Sequence, residues 1–276
     1  MSDGERFPRG KAMPAQSPLF WVQQKDRYLR QLLIKDIEET TGRRLLVYFA
    51  NRYVKNSDIN IGDVAHMQEL LGDLDGAAAD LFLTTTGGET DATEAVISLL
   101  NAHVTDLRTI VPHSAKSNGT VICLASNTIV MGPPSELGPI DPSVGGTPAS
   151  ILAEPIVAQT NFPMHKLGLH AIQQTNKLAK LLLTRGMMQG RPEAEVDATV
   201  SALATKNTYF SHGSVIDHKE AAELGLNVTY LPEQNELWQR FWLLYSMYAH
   251  DVQQSGAVKV FEGCARSMTL SPEAQP

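Results

Sequence analysis

The sequence predicts an α/β fold with a mostly parallel, helix-covered sheet, and three observations lead there. Short apolar runs rich in β-branched and aromatic residues recur at 45–50 (LLVYFA), 81–86 (LFLTTT), 107–111 (LRTIV) and 128–132 (TIVMG). Segments with apolar residues at helical spacing separate them, a rhythm that demands crossover connections and therefore parallel pairing. The chain of 276 residues is 43% hydrophobic and 19% charged, enough to bury a large core at the upper size of one domain.

In chain order, residues 1–18 (MSDGERFPRGKAMPAQSP) are polar with Pro and Gly and read as a flexible arm. Leu29, Leu32, Leu33 and Ile37 mark a helix that Gly42 stops before the strand at 45–50. Val64, Met67, Leu70, Leu71 and Leu74 make a second amphipathic helix before the strand at 81–86. Ala92, Ala95, Val96, Leu99 and Leu100 give a third, after Gly88, and a short helix from Gly119 to Ala125 precedes the strand at 128–132. The second half is more helical. Leu167–Leu183 is a long helix, Val196, Val200 and Leu203 mark another, and Asp217 with Glu220 caps the helix HKEAAEL that Gly225 ends. After the strand NVTYL, Leu237, Trp238, Phe241, Trp242, Tyr245 and Tyr248 form an aromatic stripe that faces a core or a subunit interface. Residues 268–276 read as a tail, so 19–232 is the expected domain and 233–276 a helix and tail, a candidate for oligomerisation.

The net charge of -7 and isoelectric point near 5.6 argue against a nucleic-acid or anionic-membrane partner. Cys123 and Cys264 have neither metal-ligand spacing nor a disulfide framework, and read as small buried hydrophobes. The N-terminus lacks a signal-peptide core, and the longest aromatic-rich run, Phe241–Ala249, is too short to span a bilayer, so the expectation is a cytoplasmic protein. With no HExxH, no GxGxxG after a strand, no P-loop and no Cys/His cluster, no metal or cofactor is expected.

The run from Leu81 to Pro142 carries the chemistry. Gly87-Gly88 ends one strand, where a backbone without Cβ can approach a substrate carbonyl. Ser117, within AKSNGT, ends the next strand and starts a helix, which places its side chain at the C-terminal edge of the same sheet. A serine nucleophile needs a tight turn, N–H groups aimed at an oxyanion, and a base. Alone, a Gly-Gly pair is a turn and a serine at a helix start is an N-cap; together on successive strands they point to acyl transfer.

TTGG, AKSNGT, IVMGPPSELGPIDP and YFSHGSVIDHKEAAELGLNV resemble the serine dehydrogenase proteinase family, relatives of signal peptide peptidase A in the Clp protease and crotonase superfamily. The likeness covers roughly 28–231. It implies a crotonase/ClpP-like spiral of ββα units, a serine peptidase needing no ATP in its own chain, peptide or protein substrates, and a ring or stacked homo-oligomer. By the same resemblance Ser117 is the nucleophile, Gly87 and Gly88 belong to the oxyanion hole, and the Asn118 N–H, beside Gly119, is the second donor. Relatives usually carry Ala or Gly where this chain has Asn118, a substitution that bears on access to Ser117.

The base stays open among three residues. In family members with a Ser-Lys dyad the lysine lies on the helix after the serine, where this chain has MHKLGLHAIQQTNK; His170 aligns with it and Lys166 lies one turn earlier. Both belong to a stripe with Gln173, Lys177 and Lys180 that also reads as a solvated face. His212, in SHGSVID, is the third candidate, or else a turn histidine bonded to backbone. Asp141, between Pro139 and Pro142, reads as a loop residue whose carboxylate caps or orients a neighbour. The rival readings are a catalytically silent peptide-binding scaffold of the same family and a crotonase-type acyl-CoA enzyme.

Overall fold

The computed structural model describes residues 17–72, 74, 76–204 and 208–272; most of the expected N-terminal arm lies outside them. The Ser17 hydroxyl caps α1 (Pro18–Gln23), and α2 (Lys25–Thr41) ends at Gly42 in the left-handed conformation. Then come β1 (Arg44–Ala50), α3 (Asp63–Leu71), β2 (Ala77–Thr84), α4 (Thr90–His103), β3 (Val104–Val111), β4 (Ser114–Ala115), α5 (Asn118–Leu124), β5 (Thr128–Met131) and β6 (Glu136–Leu137). A hairpin of β7 (Ser143–Val144) and β8 (Thr147–Pro148) leads to α6 (Ala149–Leu152), α7 (Pro155–Thr160), α8 (Phe162–Arg185) and α9 (Glu193–Ala204). The chain closes with α10 (His218–Glu223), β9 (Val228–Tyr230), α11 (Glu236–Ser255), β10 (Lys259–Glu262) and β11 (Ser267–Leu270).

Seven strands form the main sheet in the order β11-β10-β1-β2-β3-β5-β9. From β1 to β9 every pairing is parallel, which is why helices intervene; β10 joins β1 antiparallel, and β11 joins β10 antiparallel. Alternation along β1 sorts its side chains between two cores. Leu46, Tyr48 and Ala50 pack with α3, α4, α5, α8 and α9, whereas Leu45, Val47 and Phe49 pack with α2 and α11. The mixed α/β, mostly parallel architecture is the one predicted.

Two expectations change. Met268–Leu270 are not tail but lie in β11, hydrogen-bonded to β10. The long helix starts at Phe162, five residues before the predicted Leu167, because the Asn161 side chain accepts the Met164 N–H and Pro163 favours the first turn. The aromatic stripe of α11 faces the core through Trp238, Phe241, Leu244 and Tyr248, while Trp242 and Leu243 stay partly exposed.

Candidate active site

The parallel strands end where two turns meet. Beyond β2, Thr85 forms a parallel bridge with Ala115: its N–H donates to the Ser114 carbonyl and its carbonyl accepts the Lys116 N–H, both at 3.0 Å. This zips the Gly87-Gly88 segment against the chain that enters Ser117. Ser117 has φ 52° and ψ -122°, one of only two non-glycine residues with positive φ among those described, and its hydroxyl makes no capping bond to α5. Such a sharp strand-to-helix turn lies in a disfavoured backbone region, a strain that clusters at functional turns.

The glycines fit this turn closely. A Cβ on Gly87 (φ 108°) would lie 2.6 Å from Ser117 Cβ and 3.1 Å from its Oγ. A Cβ on Gly88 (φ 155°) would lie 2.2 Å from the Ile59 carbonyl oxygen. Ile59 bridges Gly88 in parallel, its N–H donating to the Gly87 carbonyl and its carbonyl accepting the Glu89 N–H, each at 2.8 Å. That bridge consumes the peptide groups on either side of Gly88 but not the Gly88 N–H, which a strand directs to the opposite edge. The Gly88 carbonyl accepts the Asn118 side-chain amide at 2.5 Å, and the same amide lies 3.3 Å from Thr90 Oγ1. Asn118 is buried, and its side chain tethers the helix start to the glycine strand. The Gly119 N–H donates to the Lys116 carbonyl at 2.7 Å, and a Cβ there would meet Thr85 Cγ2 at 2.5 Å. Its role in the geometry is close packing.

On the other flank, β6 pairs with β4 in parallel, and Thr120 Oγ1 accepts the Gly138 N–H at 3.0 Å. Lys116 Nζ lies 3.0 Å from the Leu137 carbonyl, 2.9 Å from the Ser214 carbonyl and 3.2 Å from Glu136. Burial lowers the Lys116 pKa, and Glu136 opposes that fall. With its donors all engaged, Lys116 binds the two loops to the serine turn. Leu137 also bridges Ile216 antiparallel, so the 211–216 segment is drawn up beside it.

In that segment His212 Nδ1 lies 2.7 Å from Asp141 Oδ1. The imidazole is 46% exposed and the carboxylate 7%. His212 therefore has a side-chain partner in place of the backbone contact expected of a turn histidine, and Asp141 orients a neighbour. His170 and Lys166 are exposed on α8. At about 100° per residue they fall opposite the buried face of Gly168, Thr175, Ala179 and Leu182. Lys166 Nζ sits over the Phe162 ring, and Lys180, on the same stripe, pairs with Glu193 and Asp197 of α9. In the single chain Lys166, His170, Gln173 and Lys177 are exposed. Among the described residues no group of three His, Cys, Asp or Glu side chains is arranged to hold a metal, and no helix is long and apolar enough to cross a membrane.

The family model of ClpP-like SDH-type serine proteinases matches residues 70–268, well over half the chain. The chain belongs to that family. The match takes in the glycine pair, the serine turn, Asp141, His212 and the C-terminal strand β10. An uncharacterized protein of Methanocaldococcus jannaschii is 30% identical to this SDH-type chain over 188 residues, 65% of the chain and 62% of that protein. A second from the same organism is 37% identical over 75 residues, 27% of the chain and 26% of its own length. The chain thus spans less than two thirds of either relative. Among solved structures, a mutant of a membrane-bound stomatin-specific protease in complex with a substrate peptide is 19% identical, covering 78% of this chain and 83% of that one with a TM-score of 0.42. A ClpP1 mutant from Listeria monocytogenes is 15% identical, covering 76% and 99% with a TM-score of 0.43.

Sequence reasoning reached the two turns but missed three parts of their support: the Ile59 bridge, the Asn118 amide and the Lys116 latch. Only the last had a local signal, a lysine beside the serine with Gly138 opposite; a Cβ on Gly138 would meet Lys116 Cδ at 2.7 Å.

Proposed function

We propose that this protein is a serine peptidase in which Ser117 is the nucleophile, the Gly88 and Asn118 N–H groups form the oxyanion hole, and His212, oriented by Asp141, is the base. The observation that carries the reading is the Ser117 turn, held at positive φ with no room beside its side chain for a Cβ on Gly87. The Asp141 contact requires the proton on Nδ1 and leaves the Nε2 lone pair available. The loops bearing both residues are fastened to Lys116, next to Ser117.

In the reaction Ser117 Oγ bonds to the scissile carbonyl carbon while its proton passes to His212 Nε2. The carbonyl oxygen takes up the negative charge opposite the Gly88 and Asn118 N–H groups, where preorganised donors stabilise it. Collapse breaks the C–N bond as His212 returns the proton to the leaving amine. Water, losing a proton to the same imidazole, then hydrolyses the acyl ester and restores Ser117. The substrate is an extended peptide segment. Exposed Ile151, Ile156, Phe162 and Leu167 on α6, α7 and α8 offer apolar surface for a homo-oligomer that encloses the site.

A serine-directed fluorophosphonate is expected to label the protein covalently and Ser117→Ala to abolish labelling. Labelling that survives the substitution refutes the assignment, and peptide binding without any Ser117-dependent turnover supports a silent scaffold instead.

A further inference from the structure

Beneath the Ile59 bridge lies a fully buried ion pair. Lys259, first residue of β10, and Asp63, first residue of α3, both have side-chain exposures of 0%. Lys259 Nζ lies 2.8 Å from each Asp63 carboxylate oxygen and donates to the Asp58 carbonyl at 2.6 Å. Asp63 Oδ2 also accepts the Asn60 N–H at 2.9 Å and the Tyr48 hydroxyl at 2.6 Å. The pair therefore grips the peptide groups on both sides of Ile59, the residue whose N–H and carbonyl hold Gly87 and Glu89.

We infer that Lys259 and Asp63 are positioning residues for the oxyanion hole: by fixing Asp58 and Asn60 they set Ile59, and through it the direction of the Gly88 N–H. The inference rests on the reading of Gly88 as an oxyanion donor. A buried ion pair gives little or no stability over apolar side chains of the same volume, so bulk stabilisation does not account for it. Its distinguishing property is direction. An ammonium with three protons and a carboxylate with several lone pairs can hold three backbone and side-chain groups at fixed angles. A donor misplaced by about 1 Å loses much of its effect on a developing charge. β10 also carries a second buried pair, Glu262 with Arg30 at 2.8 Å, which lies with Tyr248 on the α2 and α11 side of the sheet and touches no group of the Gly88 segment. It supplies an internal control with the same chemistry on the same strand.

The test compares two double variants for fluorophosphonate inactivation of Ser117, separating the maximal rate from the half-saturating probe concentration, alongside thermal unfolding. Lys259→Met with Asp63→Asn removes both charges, retains an acceptor for Asn60 and cuts the link to Asp58. It is expected to lower the maximal inactivation rate by at least about tenfold with the half-saturating concentration unchanged, because one donor of the hole is misdirected. Arg30→Met with Glu262→Gln is expected to change the melting temperature but not the maximal rate. Equal rates in both variants, or equal losses, overturn the inference and leave Lys259 a structural residue. If the first variant shows no cooperative melt, Lys259→Arg, which keeps the charge beside Asp63, is held to the same two outcomes. Wild-type protein that is not labelled at Ser117 overturns the underlying active-site reading, a result separable from the others.

Discussion

Replacing Gly88 by alanine tests both the fold of the glycine segment and its chemistry, with magnitudes that follow from the structure. The new Cβ would stand 2.2 Å from the Ile59 oxygen, 2.3 Å from its nitrogen and 2.8 Å from its carbonyl carbon. All three are backbone atoms, so no side chain can swing aside and the bridge must open. Opening forfeits the Ile59-to-Gly87 and Glu89-to-Ile59 hydrogen bonds, about 1 kcal/mol each. Holding alanine at a φ of 155° adds about 1–2 kcal/mol. The sum, about 3–4 kcal/mol, corresponds to a fall in melting temperature of roughly 6–15 °C for a domain of this size. Gly145→Ala serves as the comparison, since Gly145 has φ 58° with nothing within 4 Å of its Cβ position, so only the conformational cost of about 1 kcal/mol remains. Fluorophosphonate labelling of Gly88→Ala, measured well below its melting temperature, should slow by about 10²–10³-fold, the usual cost of one oxyanion donor. A destabilised Gly88→Ala protein that labels within about twofold of wild type would refute the claim that this N–H faces the reacting oxygen.

Asn118→Ala is expected to cost about 1–2 kcal/mol of stability by leaving the Gly88 carbonyl without its amide, read by denaturant unfolding. Asp141→Asn should slow labelling by about 10⁴-fold with little change in fold by circular dichroism, because an amide cannot enforce the Nδ1-protonated tautomer; His170→Ala and Lys166→Ala should label at the wild-type rate. Burial, assisted by Arg52, holds the His113 pKa below its ordinary 6.5, so between 6.5 and that lower value the unfolded chain takes up a proton that the folded chain refuses. Stability should therefore fall as the pH drops below about 6.5 and stay flat above it, and His113→Gln should flatten the acid limb of a melting-temperature profile.

The parts of the site that were legible in the sequence are those built locally. Gly87-Gly88 and Ser117 each lie where a strand ends and a helix begins, and both signals, apolar run and turn residue, sit within ten residues of one another. The pairing proposed to supply the base was not legible because it depends on a meeting of distant segments. Asp141 and His212 come together only after β6 pairs with β4 and the 211–216 segment is drawn onto Leu137. His170 competed for the role on alignment, and the packing of Gly168, Thr175 and Ala179 places it on the exposed face of α8. The C-terminal strands were missed for a different reason. KVFE at 259–262 carries a charge at each end, which reads as surface, yet all four residues are buried.

Those two charges explain how a short, polar strand comes to lie inside the molecule. Glu262 is met by Arg30 and the Tyr248 hydroxyl, and Lys259 by Asp63 and the Asp58 carbonyl, so neither is desolvated without partners. Burial and the neighbouring carboxylates push both Tyr48 and Tyr248 well above the usual phenol range, so each remains a donor to its acid. Both pairs tie β10 to helices on opposite faces of the sheet, α3 on one side and α2 on the other. Their consequences differ because only α3 is preceded by a loop that reaches the glycine segment. Removing the Arg30 pair should loosen the sheet edge; removing the Lys259 pair should loosen that edge and also release Ile59. The same strand, through two similar ion pairs, thus separates a cost in stability from a cost in chemistry.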